Sequence, residues 1–159
     1  NLNLTHVSTT HHHLDHAGGN SGLLLCKPDL IVCGGNSRIS GVNMVVNDGT
    51  IIEIGSIIIN CIETPGHTND HICYFANDKI EETPPCIFSG DTLFIGGCGK
   101  IFEGTPSDMY ESIVGKLSRL PPETLVYCGH EYTVKNLKFG LSVDPDNNYI
   151  VSKLEWANV

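Results

Sequence analysis

Thr10-His11-His12-His13-Leu14-Asp15-His16 is the stretch on which the reading of this chain turns. It sets four imidazoles and one carboxylate in the consecutive positions 11–16. His11, His13, Asp15 and His16 read as H-x-H-x-D-H, a nitrogen and oxygen donor set that zinc and iron favour. In extended backbone alternate side chains share a face, so His11 and His13 can serve one metal. If the chain turns after Leu14, Asp15 and His16 can reach a second metal beside it. His12 has the opposite parity and is left out of the ligand set. An interrupted run followed by Gly18-Gly19 does not read as an expression tag.

Further ligand-type residues follow strand-like runs downstream. His67 comes after Thr64-Pro65-Gly66, a rigid turn able to aim a ring inward. Asp91 lies in Ser89-Gly90-Asp91-Thr92, and His130 in Cys128-Gly129-His130-Glu131. Loops at one edge of a sheet are where sites are assembled. On this reading His11, His13 and His67 hold metal one, and Asp15, His16 and His130 hold metal two. Asp91 bridges, because a carboxylate can bind two ions and an imidazole cannot. Two metals about 3.5–4 Å apart lower the pKa of a shared water and stabilise an oxyanion. That is hydrolase chemistry at a carbonyl or phosphoryl centre. His71 reads as a supporting residue, and His6 carries no signal.

The remaining composition narrows the class. The chain has 159 residues, with 40% hydrophobic and 17% charged, enough for one folded domain with a real core. A net charge of −9 argues against a phosphate-backbone binder, so no nucleic-acid partner is expected. No run approaches the roughly 18 apolar residues of a membrane span, so no membrane partner is expected. The seven cysteines are odd in number and lack C-x-x-C spacing; they read as small buried thiols in a reducing compartment.

The pattern predicts strands over Val7–Thr9, Leu30–Cys33, Met44–Val46, Thr50–Ile54, Ile57–Glu63, His71–Ala76, Cys86–Ser89 and a buried one over Leu125–Cys128. Asn47-Asp48-Gly49 reads as a tight turn between two of them. Helices are predicted from Ala17 to Leu25, from an N-cap at Ser107 to Leu120, over Val134–Phe139 and over Asn147–Trp156. Between them lies Gly96-Gly97-Cys98-Gly99-Lys100-Ile101-Phe102-Glu103-Gly104-Thr105. It lacks the G-K-[ST] order of a P-loop, yet offers backbone N–H groups and one cation to an anionic substrate. Tyr132, close to His130, offers a phenolic donor.

Thr-His-His-His-Leu-Asp-His-Ala-Gly-Gly-Asn, Thr-Pro-Gly-His-Thr, Ser-Gly-Asp-Thr-Leu-Phe, Gly-Cys-Gly-Lys-Ile-Phe-Glu-Gly-Thr and Cys-Gly-His-Glu-Tyr-Thr together resemble glyoxalase II, the hydroxyacylglutathione hydrolases of the metallo-β-lactamase superfamily. The resemblance runs from about Thr5 to Trp156 in the family's order. H-x-H-x-D-H marks only the superfamily, whereas the Gly-Cys-Gly-Lys loop and Cys-Gly-His-Glu-Tyr-Thr are more specific.

The resemblance implies an α/β fold, the αββα sandwich, with residues 1–159 as one hydrolase domain. It implies two divalent metal ions, zinc first, with iron or manganese as alternatives. It also implies hydrolysis of S-D-lactoylglutathione to glutathione and D-lactate in methylglyoxal detoxification. The expected ligands are His11, His13, Asp15, His16, His67, Asp91 and His130, with Asp15 and Asp91 as the catalytic carboxylates. Lys100, Phe102 and Tyr132 are the expected contacts to the glutathione moiety. The partner is a small-molecule glutathione thioester, the chain a monomer, and the compartment the cytoplasm or the mitochondrial matrix.

Departures from the family's pattern carry expectations of their own. Leu14 stands where an aromatic residue is common, and Phe102 where a Tyr helps hold glutathione. Asp70 stands where Gly is usual, implying mild backbone strain and added charge near the metals. The resemblance further places opening strands before residue 1 and a helical substrate-binding segment after Val159, so exposed sheet edges and apolar surface are expected. Competing readings are a persulfide dioxygenase, a lactonase or a β-lactamase on the same fold, or a metal-binding protein without turnover.

Overall fold

The computed structural model of the protein describes residues 3–158. Its centre is two facing sheets. The first is parallel, in the order β1 (His6–Ser8), β2 (Ile31–Gly34), β3 (Met44–Val45). A parallel pair needs a crossover, and the helices α1 (Leu14–Ala17) and α2 (Asn20–Cys26) lie between β1 and β2 in the chain. The second sheet orders β4 (Ile51–Ile54), β5 (Ile57–Glu63), β6 (Ile72–Asp78), β7 (Cys86–Gly90) and β8 (Leu125–Cys128). Its pairs are antiparallel except β7–β8, which runs parallel.

Period-two alternation along β6 explains the layering. Ile72 and Tyr74 turn into the space between the sheets, where they meet Cys33, Val46, Ile52 and Cys61. Cys73 turns the other way and packs with Ile87 and Leu117 beneath the helical segment, with Phe75 against that cluster. The helical segment starts as α3 (Pro106–Tyr110), widens to a π-type turn over Glu111–Lys116 and tightens over Leu117–Arg119. The chain ends in the helices α4 (Thr133–Val143) and α5 (Asn148–Ala157).

Three sequence expectations are corrected here. Asn47-Asp48-Gly49 does turn, with Gly49 at φ +78°, but it passes the chain from the first sheet to the second instead of pairing its flanking strands. The two-residue hairpin turn is Gly55-Ser56, with Ile54 opposite Ile57. The N-cap of α3 is Thr105, which accepts from the Asp108 N–H while Asp108 accepts from the Thr105 N–H. Pro106 at the first helical position places Ser107 inside the helix. The third is β8, where Leu125, Val126 and Tyr127 are 41–53% exposed. Within the described residues β8 pairs only with β7, and an apolar run read as two buried faces becomes an edge. Phe88 stacks on Tyr127 at 5.4 Å beside a groove of about 420 Å³ that reaches Tyr74 and His16.

Cys33, Cys61 and Cys73 are buried thiols as expected, whereas Cys26 and Cys98 are exposed. No described helix is long and apolar enough to cross a membrane.

Candidate metal centre

Strand directions bring the ligand-type residues to one edge. β7 and β8 are parallel with Gly90 opposite Cys128, so the residues just past their ends, Asp91 and His130, emerge side by side. β5 and β6 are antiparallel, with Glu63 opposite Ile72, so the loop 64–71 that carries His67 and His71 closes at that same edge. β1 leads into loop 10–16, which is pinned there by the bonds Ile72 N–H to Thr10 O at 2.8 Å and Tyr74 O–H to Thr9 O at 2.9 Å. His13 is extended, and α1 begins at Leu14. That break turns Asp15 and His16 away from the parity of His11 and His13.

Two donor groups result. His11, His13 and His67 present one nitrogen each within 4.8 Å of one another, as do the donor atoms of Asp15, His16 and His130. In the first, His13 Nδ1 lies 3.0 Å from His11 Nε2 and 3.1 Å from His67 Nε2. In the second, His130 Nε2 lies 3.3 Å from both His16 Nε2 and Asp15 Oδ2. Asp91 stands between them. Its Oδ2 is 3.4 Å from His67 Nε2 and 3.3 Å from His130 Nε2, and its Oδ1 is 3.4 Å from His16 Nε2.

The donor set fits divalent ions on the geometry itself. His67 Nδ1 donates to the Lys100 carbonyl at 2.8 Å, which fixes its proton there and turns the Nε2 lone pair to the centre. Buried Asp91 Oδ1 has no hydrogen-bond partner, a costly state for a carboxylate oxygen without a cation. Several imidazole nitrogens converge at contact distance, and lone pairs so placed repel unless an ion lies between them.

His71 supports Asp91 from behind. It accepts the Asp91 backbone N–H at Nε2, 3.1 Å away, and its Nδ1 lies 2.8 Å from the Thr64 hydroxyl and 3.1 Å from that of Thr92. Asp70 is unstrained, since no described residue other than glycine has positive φ. His12 turns out of the centre toward Asp70. The sequence reading missed Arg38, which reaches His12 and Glu103; these residues are far apart in the chain, so no local signal could have paired them.

Of the expected substrate contacts, Lys100 and Phe102 flank the first donor group. The Phe102 ring meets His67 and His13 edge-on at 5.2 and 5.6 Å, and Lys100 Nζ lies 5.0 Å from the Phe102 centroid. Tyr132 stacks on His130 at 5.1 Å, flanking the second. Phe102 and Tyr132 are 57% and 46% exposed, so both offer surface to a ligand.

Burial makes the centre acid-sensitive. It pushes His11 far below its usual 6.5, pushes His71 down to about 3, and lowers His67 as well. These rings fold neutral, while the unfolded chain takes up protons as pH falls below 6.5. Their contribution is present above that value and is lost on acidification. The metal-free protein is therefore expected to melt at a lower temperature at pH 5 than at pH 7.5. Equal melting temperatures would contradict the buried neutral rings.

Two facing sheets with helices and a cluster of histidines and carboxylates at one strand edge define a metallo-β-lactamase type of fold. The chain belongs to the metallo-beta-lactamase superfamily, whose family model matches residues 37–130. It is 50% identical over 153 residues to the cytoplasmic hydroxyacylglutathione hydrolase of Arabidopsis thaliana, a match covering 95% of this chain and 59% of that protein. Among solved structures, ETHE1 from Myxococcus xanthus superposes with a TM-score of 0.72 at 36% identity, covering 83% of this chain and 56% of that one. TTHA1623 in a di-iron-bound form superposes with a TM-score of 0.60 at 26% identity, covering 82% and 71%. The chain spans a little over half the length of the curated relatives it matches.

Proposed function

We propose that this chain carries the catalytic core of a hydroxyacylglutathione hydrolase, which splits S-D-lactoylglutathione into glutathione and D-lactate. The observation that carries this reading is the pair of donor groups sharing Asp91, flanked by Lys100, Phe102 and Tyr132. The relative named cytoplasmic hydroxyacylglutathione hydrolase, at 50% identity, and those named hydroxyacylglutathione hydrolase-like protein, at 42–46%, support it.

His11, His13 and His67 would hold one ion, Asp15, His16 and His130 the other, and Asp91 both. Bound there, two divalent ions supply a hydroxide near neutral pH and polarise the thioester carbonyl. Zinc is the proposed metal, with iron or manganese as alternatives; a di-iron form is known for one structural relative. In the reaction water adds to the acyl carbon, the C–S bond breaks, and glutathione leaves as thiolate to be protonated by solvent. Lys100 attracts a glutathione carboxylate, Phe102 walls the site over His13 and His67, and Tyr132 offers its phenol on the other side. We further propose a monomer acting in the cytoplasm, the compartment printed for the Arabidopsis relative.

The test is loss of S-D-lactoylglutathione with metal-loaded protein, with His130→Ala as control. Turnover that the substitution abolishes supports the hydrolase; none from protein that holds two metals would overturn it. Lys100 touches the non-reacting end of the substrate, so Lys100→Ala is expected to raise KM about fivefold, roughly 1 kcal/mol, with kcat within about twofold. A fall in kcat alone would remove Lys100 from the binding role.

A second reading follows from the likeness to ETHE1, which fits a persulfide dioxygenase. Oxygen-dependent consumption of glutathione persulfide would identify it, and a single iron would use fewer of the donors gathered here.

A further inference from the structure

Asp70 is buried, its side chain 0% exposed, and its Oδ1 lies 2.8 Å from His12 Nδ1. His12 Nε2 lies 2.9 Å from a nitrogen of the Arg38 guanidinium. Arginine can only donate, so His12 Nε2 must accept. The His12 proton therefore sits on Nδ1 and is donated to Asp70, which makes His12 a neutral link with a fixed tautomer. Arg38 also forks onto both oxygens of Glu103, one of them at 2.9 Å. Glu103 in turn accepts the Asn69 backbone N–H at 2.8 Å. Because Asn69 precedes Asp70, the chain of bonds closes on itself.

The circuit joins three segments of the site. His12 lies between His11 and His13, Asp70 belongs to the loop of His67, and Glu103 belongs to the loop of Lys100 and Phe102. Two backbone bonds lace the last two segments together, Phe102 N–H to His67 O at 3.2 Å and Gly104 N–H to Gly66 O at 3.1 Å. Loop 10–16 receives no such backbone bond from the loop of Glu103 among those observed, and the side chain of His12 supplies the tie. The hydrogen bond from Arg38 pushes the Glu103 carboxyl down to about 2, so that pair stays charged at any working pH. A cation held by His12, Asp70 and Glu103 would have to displace the Arg38 guanidinium, so the group is not a third metal site.

We propose that Asp70, His12, Arg38 and Glu103 are positioning residues: their closed circuit of hydrogen bonds holds the His11–His13 segment against the substrate loop and so sets how tightly the first metal ion is bound. This rests on the metal centre proposed above but not on the identity of the substrate. Groups that orient metal ligands typically change affinity by about 10- to 100-fold when removed.

The experiment is zinc affinity by competition with a chromophoric chelator, alongside the visible spectrum of the cobalt-loaded protein. Asp70→Ala leaves the His12 N–H without its acceptor and is expected to weaken one of two ions about tenfold or more and to alter the cobalt spectrum. Asp70→Asn keeps an oxygen at that place and is expected to stay within about threefold of the parent. Arg38→Met, at a half-exposed position, tests the circuit from its other end if Asp70→Ala does not fold, and is expected to weaken the same ion. Parental affinity and spectrum in the Ala and Met variants would overturn the inference, as would an Asn variant as weak as the Ala variant. A parent protein that binds no zinc would overturn the metal centre itself, which separates the two failures.

Discussion

Asp91→Asn is expected to release one of two bound metal ions and to lower thioester turnover by about a thousandfold, the several kcal/mol that metal activation supplies. The reason is the placement of both carboxylate oxygens. Oδ2 faces His67 and His130, one from each donor group, while Oδ1 faces His16. Asparagine has nearly the same shape but one oxygen and no charge, and its NH₂ can face only an acceptor. The backbone bond from Asp91 N–H to His71 is untouched, so the loop is expected to stay folded. Metal content after dialysis and turnover on one preparation check this. Two ions retained with turnover within tenfold of the parent would remove Asp91 from the bridging role.

Gly99→Ala is expected to disable the centre without altering a single ligand. A Cβ at Gly99 would overlap the Asp91 carbonyl oxygen and lie 2.9 Å from His67 Nδ1. The obstacle is backbone, so no rotamer change relieves it, and the loop carrying Lys100 must move. That breaks the bond from His67 Nδ1 to Lys100 O and frees the His67 ring. Overpacking of this kind costs about 1–3 kcal/mol, and turnover is expected to fall by about a hundredfold or more, because misplacement by an ångström can cost that much. Thermal melting and steady-state rates check it; parental values of both would mean the loop has room that the geometry does not give it.

These two residues differ in how far the sequence disclosed them. Asp91 was legible as a candidate because ligand-type residues recur just past strand-like runs in a chain opening with H-x-H-x-D-H. Gly99 was legible only as part of a glycine-rich loop, since its reason lies in a carbonyl eight positions earlier. The strand positions were readable from β-branched runs, yet Asn47-Asp48-Gly49 was not readable as a change of sheet. A tight turn fixes local backbone geometry, and the partner of each flanking strand is chosen by packing far away. The exposed face of β8 escaped for a related reason: an apolar run reports what a strand can bury, not what covers it.

The sequence by itself determined the donor chemistry and much of its grouping. Parity over a few residues separates His11 and His13 from His12, whereas Asp15 shares their parity and leaves their face only because a helix begins at Leu14. Only the tertiary structure decided that β7 and β8 run parallel and so deliver Asp91 beside His130. It alone decided that His71 holds the Asp91 backbone and that Asp70 meets His12 across 58 positions. Such contacts depend on how strands pair and how loops close over one another. Those choices are settled by burial of the whole core, and no short window of sequence contains it.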